Sequence, residues 1–385
     1  MNDAKQMTIP TLIIGAGPAG LAMAGRLAKL GLPFTVLEAS DYLGFSWRNH
    51  YDRLHLHTVK EYSALPHLPF PADYPTYVPR LKFVEYLERY AEQFNIKPQF
   101  NQKVISIHRS QDGRWQVQTE TDLFMVERVI VATGYNRVPN MPELPGQRNF
   151  RGVIWHSHEY RNGAPFRNEN VLVVGMGNTG AELALDLLEN GAKPFISVRS
   201  PINIIRREVL GRPAQPIAIV LSKLPNWLCD RLAKLTQLIS VGDVSAYGLG
   251  KPKHPPTYDN RRGKTPVIDI GTIDQIKAGT ITVVPSIDRI NAKTVTFTDG
   301  RELPFDAIVL ATGYRTGLAS FLGNGLSNQI LNERGYPKKL WFDDADLRGL
   351  YFLGFSVPVT GVLNLLNKDS ARIVAHIAEN NSIPA

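Results

Sequence analysis

The chain is poor in several things, and each shortage excludes a class of protein. It has a single cysteine, Cys229, among 385 residues. An intramolecular disulfide is therefore impossible, as is a Cys-x-x-Cys redox pair. It has no uninterrupted apolar run of membrane-spanning length. The most apolar stretches, 217–228 and 351–366, are broken by Pro, Gly or polar residues. The opening MNDAKQMTIP leads straight into an apolar strand without a signal-peptide pattern. These features predict a cytoplasmic location. No cluster of His, Cys or carboxylates has metal-ligand spacing, and no Ser/His/Asp triad is arranged by motif. His156 and His158 stand two apart, a poor spacing for neighbouring ligands on a helix. No metal is expected.

Charge is not lacking, but it is unbalanced. The formal net charge is +8, with basic clusters at Arg199, Arg206, Arg207 and Arg212, and at Lys251, Lys253, Arg261, Arg262 and Lys264. Polyanionic cofactors explain such clusters as well as nucleic acid does. No aromatic-basic reading module accompanies them, so nucleic acid is not an expected partner. The length suffices for two domains with large cores.

Two stretches share one construction. VLVVGMGNTG (171–180) carries apolar β-formers into Gly175, Gly177, Asn178, Thr179 and Gly180, followed by AELALDLLENG with helical apolar spacing. TLIIGAGPAG (11–20) does the same with Gly15, Gly17, Ala19 and Gly20. Strand, tight glycine turn and helix start are the context a dinucleotide fingerprint requires. The glycines let the backbone approach a pyrophosphate, and the helix N-terminus offers unpaired N–H groups. The repeat extends further, since a strand ending in Ala-Thr-Gly-Tyr occurs at 132–135 and again at 311–314. Thr133, Gly134, Thr312 and Gly313 are therefore candidate cofactor contacts.

The two units differ at the end of the next strand, where cofactors are discriminated. Eighteen residues after Gly20 stands Glu38, placed to accept hydrogen bonds from an unphosphorylated ribose, as in FAD or NAD. Nineteen residues after Gly180 stands Arg199, whose guanidinium suits a ribose 2′-phosphate, with Arg206 or Arg207 as helpers. The pairing predicted is FAD first and NADPH second.

Between the fingerprints, residues 41–79 are aromatic, His-rich and Pro-rich with little periodicity, the pattern of a cofactor-covering segment. A helix is predicted over 79–95, with Leu81, Val84, Leu87 and Tyr90 as its buried stripe, and short strands over 103–108, 115–119 and 124–131. The proline-rich connection after them contains Phe150-x-Gly152-x-x-x-His156-x-x-x-Tyr160. That motif, between two dinucleotide fingerprints, is similar to the identifying motif of the flavin-containing monooxygenases and other class B flavoprotein monooxygenases. Through YDRLHLH, LPHLPFPADYPTY, the amphipathic stretch 224–238, GKTPVIDIG, LATGY and GLYFLGF, the chain most resembles the YUCCA branch of that family. Where general members carry Thr-Asn, this chain has Leu56-His57, the pair of the YUCCA branch, followed by the shared Lys60.

The resemblance implies an α/β fold of two dinucleotide-binding, Rossmann-like domains. The NADPH domain (161–279) would be inserted into a discontinuous FAD domain (1–160 and 280–385). It implies FAD and NADPH as cofactors, dioxygen and a small molecule as substrates, and a flavin C(4a)-(hydro)peroxide as the oxygenating species. The expected reaction is oxidative decarboxylation of a 2-oxo acid such as indole-3-pyruvate. Oxygenation of amines, sulfides or ketones is the alternative, and NADPH-dependent flavin reduction without oxygenation a second. His57 and Lys60 are the catalytic candidates, His57 reading equally well as a packed loop histidine. Trp47 is a flavin contact by the same resemblance, and His156 and Tyr160 read first as structural linkers. A monomer or homodimer is expected. Two departures from the family pattern are a single glycine in DYLGFSW and the C-terminal VPVTGVLNLLNKD.

Overall fold

The computed structural model describes residues 7–358 and 360–381. Val359, inside the divergent VPVTGVLNLLNKD stretch, lies outside the described residues. In chain order the elements that position the site begin with β1 (Met7–Ile14), α1 (Pro18–Lys29), β2 (Thr35–Leu37), α2 (Arg80–Gln93), β3 (Val104–Arg109), β4 (Trp115–Thr119) and β5 (Leu123–Val131). Next come β6 (Val153–His156), β7 (Asn170–Val174), α3 (Asn178–Glu189), β8 (Lys193–Ser197), α4 (Ala214–Leu221) and α5 (Asn226–Ser240). The last are β9 (Thr282–Val284), β10 (Ala307–Leu310), β11 (Leu350–Phe352) and α6 (Val362–Asn381).

Two of the sheets are each built around a fingerprint strand. The first runs β2-β1-β5-β4-β3, with β1, β2 and β5 parallel, β3 and β4 antiparallel, and β11 parallel to the far half of β5. The second is wholly parallel in the order β9-β8-β7-β10-β6. Strands covered on both faces read as continuous apolar runs rather than alternating ones. Leu12, Ile13, Val171 and Val173 are accordingly inaccessible to solvent. In both sheets the strand ending in Ala-Thr-Gly lies directly beside the fingerprint strand, Ile14 opposite Val131 and Val174 opposite Leu310. The duplicated sequence pattern is thus a duplicated topology.

The second sheet takes β6, β9 and β10 from outside residues 161–279, so it reaches beyond the limits expected for an NADPH unit at both ends. The reason is the crossover rule for parallel strands. A short apolar strand such as Val153–His156 carries no mark of which sheet it will join, and only pairing across long sequence separations decides it.

The expected helix appears as α2, but its buried stripe is different. Phe83, Val84, Leu87 and Tyr90 face the core, whereas Leu81 is 56% exposed and the position beside it, Arg80, is 7% exposed. Arg80 wins the buried place because its guanidinium reaches groups that an alkyl chain cannot satisfy. It donates to the backbone carbonyls of Trp47 and Arg48 and, at 2.9 Å, to Asp52. Those bonds hold the 45–52 segment against α2; its first four residues, Phe45–Arg48, form one helical turn in the region that the sequence predicts to lack regular structure. Arg80→Leu should cost about 2–4 kcal/mol in denaturant unfolding, by orphaning these acceptors, whereas Leu81→Ser should stay within about 0.5 kcal/mol. Equal effects would contradict the assignment.

Candidate functional site

At the first turn, Gly15 has φ +107°, a conformation L side chains rarely adopt, and a Cβ there would stand 2.7 Å from the Ala132 carbonyl oxygen. Gly20 is equally constrained, since its Cβ would collide with the Gly15 carbonyl. Gly17 differs: nothing among the described residues lies within 4 Å of its Cβ position, and as N-cap of α1 it provides no side-chain cap. The turn therefore presents bare backbone at a helix N-terminus to an open space, which is what a pyrophosphate needs. Beside it, the Thr133 hydroxyl is buried with no hydrogen-bond partner, and the Cβ position of Gly134 meets nothing. Ala19, on the first turn of α1, packs in the core as the small residue that lets the helix approach the sheet.

Glu38 stands just past β2 with one carboxylate oxygen on the glycine turn and the other on Ser40. Oε2 accepts from the Ala16 N–H at 2.8 Å, and Oε1 accepts from the Ser40 N–H and hydroxyl at 3.0 and 2.9 Å. A carboxylate has about four acceptor positions, so one remains for a ribose hydroxyl. These features fit an FAD whose pyrophosphate lies over 15–20 and whose adenosine ribose meets Glu38.

The second turn repeats the geometry. Gly175 has φ +99°, its Cβ position 2.9 Å from the Ala311 carbonyl oxygen, and the Gly177 and Gly313 Cβ positions are open. α3 likewise begins without a side-chain cap at Gly177. Asn178 is engaged locally: its Oδ1 accepts from the Ile268 N–H at 2.7 Å, which ties the GKTPVIDIG stretch to the turn. Thr179 faces Tyr51, and Thr312 donates to the Asn140 carbonyl at 2.6 Å. Arg199, just beyond β8, is exposed, and among the described residues nothing pairs with its guanidinium. Arg206 is engaged elsewhere, bridging Asp274 and, at 2.6 Å, Asp269, which raise its pKa against the effect of burial. Arg207 stacks over Tyr77 at 4.1 Å. Of these arginines Arg206 is committed to carboxylates, while Arg199 at the strand end is left for a phosphate.

The two halves meet along one face of α3. Glu182, Asp186 and Glu189 are spaced four and three apart, so they form one stripe. Each takes a partner from outside the helix, Glu182 and Glu189 from the 53–57 stretch and Asp186 from the connection before β7. Glu182, 2% exposed, accepts from or pairs with His57 Nε2. Asp186 accepts from the Tyr160 hydroxyl at 2.6 Å, and Glu189 receives Arg53 at 2.9 and 3.3 Å. The buried Tyr51 hydroxyl also faces Glu182, and burial together with that carboxylate pushes its pKa well above the ordinary value, keeping it a neutral donor. Burial pushes His50 down to about 4, so it too is uncharged at neutral pH.

The expected site residues thus have different surroundings. His57 lies at the junction. Lys60 donates to the Ala72 carbonyl at 2.7 Å and to the Tyr74 carbonyl, closing the 60–74 loop. Trp47 packs against the cores of both halves, edge-on to Phe83 at 4.5 Å. His156 is buried and hydrogen-bonds the Gly313 carbonyl at 3.1 Å. With Tyr160 on Asp186, both motif residues act as parts of the frame. Glu182 is missed from sequence because AELALDLLE reads as an apolar helix. The available signal was three acids at helical spacing in a segment otherwise buried.

Comparison with known proteins decides what this pair of turns belongs to. The family described as flavin-binding monooxygenase-like matches residues 8–384. The chain belongs to that family. The indole-3-pyruvate monooxygenase YUCCA1 of Oryza sativa subsp. japonica is 40% identical over 364 residues, covering 92% of this chain and 89% of its own. An oxidized steroid monooxygenase bound to NADP shares the fold with a TM-score of 0.77 at 19% identity, over 98% of this chain and 86% of that one. A flavin-containing monooxygenase from Stenotrophomonas maltophilia gives 0.71 at 20% identity, over 96% and 99%. This protein is a flavin-binding monooxygenase of that family, and its two turns fit the FAD and NADPH expected from the sequence.

Two substitutions probe the site of this monooxygenase. Gly15→Ala, with its strained φ and the clash at Ala132, should give protein without bound FAD, read from the flavin absorbance of the purified protein; a fully yellow variant would contradict the first turn as the flavin site. Glu182→Gln should retain FAD yet lower the rate of NADPH oxidation at least about tenfold, because the charge-assisted hold on His57 is lost. A rate equal to that of the unmodified protein would make the pair dispensable.

Proposed function

We propose that the protein catalyses the NADPH- and oxygen-dependent decarboxylation of a 2-oxo acid, with indole-3-pyruvate the favoured substrate and indole-3-acetate the product. The observation that carries this reading is Leu56-His57, with His57 held by Glu182 at the junction between the two turns. The relative named for indole-3-pyruvate supports it at 40% identity over nearly the whole chain. The balance is one 2-oxo acid, one O2, one NADPH and one proton giving the shortened acid, CO2, water and NADP⁺. One oxygen atom of O2 enters the acid and the other leaves as water.

Bound FAD supplies the two-electron exchange with NADPH and the activation of dioxygen. The chain supplies position and exclusion of water. The turn 15–20 and Glu38 hold the flavin nucleotide, with Trp47, Thr133 and Gly134 beside it. The turn 175–180, Thr312 and Gly313 hold the nicotinamide nucleotide, and Arg199 takes its 2′-phosphate. His57 is oriented by the buried Glu182 carboxylate, so its ring is fixed at the junction of the two halves, and its Nε2 can hold a proton there. Lys60 shapes the loop that carries His57. In this reading the NADPH-binding unit runs from Val153 to Leu310 and is inserted into the FAD-binding remainder, an arrangement supported by the strand order of the second sheet.

Oxygenation of amines, sulfides or ketones is the competing reading, and product analysis separates the two. Incubation with indole-3-pyruvate, NADPH and air should yield indole-3-acetate and CO2 in equal amounts; NADPH consumption without either product would sink the 2-oxo acid reading. Arg199→Ala should raise the KM for NADPH about ten- to hundredfold, the worth of a charge-assisted hydrogen bond to phosphate, and leave that for NADH almost unchanged. An equal rise for both would contradict the 2′-phosphate role.

A further inference from the structure

The helical hairpin α4–α5 carries a surface that the oxygenation chemistry does not explain. Val220, Trp227, Leu238 and Ile239 are 64, 62, 62 and 69% exposed, and Leu235 is 52% exposed. Apolar side chains scattered singly over a surface need no explanation, but a contiguous set on one helical hairpin does. On α5, Trp227, Leu235, Leu238 and Ile239 share one face, and the same face carries Arg231 and Lys234. Between the helices opens a cleft of about 1050 Å³ counting its mouth, walled by Ala218, Leu221, Leu224, Cys229 and Ala233.

Charge discriminates among occupants. From Leu210 to Ser240 the chain has four cations, Arg212, Lys223, Arg231 and Lys234, and one acid, Asp230. That acid is neutralised, held by Arg261 at 2.7 Å and by the Thr257 hydroxyl. The exposed face is therefore apolar and purely cationic. A second copy docked about a two-fold axis would set Lys223, Arg231 and Lys234 against their own equivalents, which is unfavourable. An anionic bilayer surface accepts all of it. Apolar side chains and a tryptophan enter the acyl boundary while lysine and arginine meet the headgroups, the pattern of a helix lying in the interface plane. No helix among the described residues is long and apolar enough to cross a membrane, so the contact is with one leaflet.

We propose that the α4–α5 hairpin docks this enzyme onto an anionic lipid surface. The hairpin is also joined to the reaction centre. Gln215, on the first turn of α4, accepts from the Val59 N–H at 2.7 Å, two residues from His57, and donates to the Thr360 carbonyl at 2.6 Å. Lipid contact at one end of α4 therefore lies one short helix away from the loop that holds His57, which places the mouth of the cleft at a membrane from which apolar aromatic compounds partition. The docking itself does not depend on which substrate is oxidised.

The test is co-sedimentation of the FAD-loaded full chain with vesicles of phosphatidylcholine, with and without phosphatidylglycerol. Two variants serve as controls, Lys223→Glu/Arg231→Glu/Lys234→Glu and Trp227→Ser/Leu238→Ser/Ile239→Ser. The expected result is sedimentation with the phosphatidylglycerol vesicles, weakened at least about tenfold by either variant, with FAD content and NADPH oxidation in solution unchanged. Failure to sediment with anionic vesicles would overturn the proposal, as would binding insensitive to both variants. So would a dimer in sedimentation equilibrium that the same substitutions dissociate.

Discussion

The architecture depends on one close approach made twice. The first glycine of each fingerprint abuts the carbonyl of the alanine that follows the neighbouring strand, so closely that a Cβ would stand 2.7 Å from the Ala132 oxygen at Gly15 and 2.9 Å from the Ala311 oxygen at Gly175. Only a glycine with positive φ permits this, and it forces the turn to fold over the strand end. The result is an uncapped helix N-terminus and an Ala-Thr-Gly loop side by side at the carboxyl edge of each sheet, the crevice where open parallel sheets bind nucleotides. In the proposed function Glu38 after one turn and Arg199 after the other distinguish two sites of common construction.

Two nucleotide sites make an oxygenating enzyme only if they face one another stably. The acidic stripe of α3 provides that hold. Tyr51, Arg53 and His57 reach across to Glu182 and Glu189, Tyr160 holds Asp186 from within the same unit, and Trp47 packs against both cores. A carboxylate as buried as Glu182 is costly unless paired, so the half that carries it has a strong preference for the docked arrangement. The same docking leaves His57 with an anionic neighbour rather than a solvated loop.

Features written in local pattern were legible from the sequence. The fingerprints, the strands 115–119 and 124–131, the 41–79 segment with no more than single helical turns at 45–48 and 60–62, and the repeated Ala-Thr-Gly-Tyr all depend on residues within a few positions of one another. What escaped depends on distant pairing. Strands 153–156 and 307–310 look like any short apolar run, and only their register against β7 and its neighbours assigns them to the second sheet. Leu81 and Arg80 trade places because hydrophobic spacing ignores the backbone carbonyls at 47 and 48 that need a donor. Arg206 reads as a free cation until Asp269 and Asp274, more than sixty residues on, arrive beside it. Glu182 is invisible for the same reason, since its partner His57 lies 125 residues earlier in the chain.

In the proposed function both nucleotide sites serve the insertion of one oxygen atom into a 2-oxo acid. Turnover of indole-3-pyruvate with NADPH under ¹⁸O2, followed by mass analysis of the acid, measures that directly. One labelled oxygen per indole-3-acetate, with one NADPH consumed for each, is the predicted result. Unlabelled product, or NADPH oxidation that ends wholly in hydrogen peroxide, would contradict it.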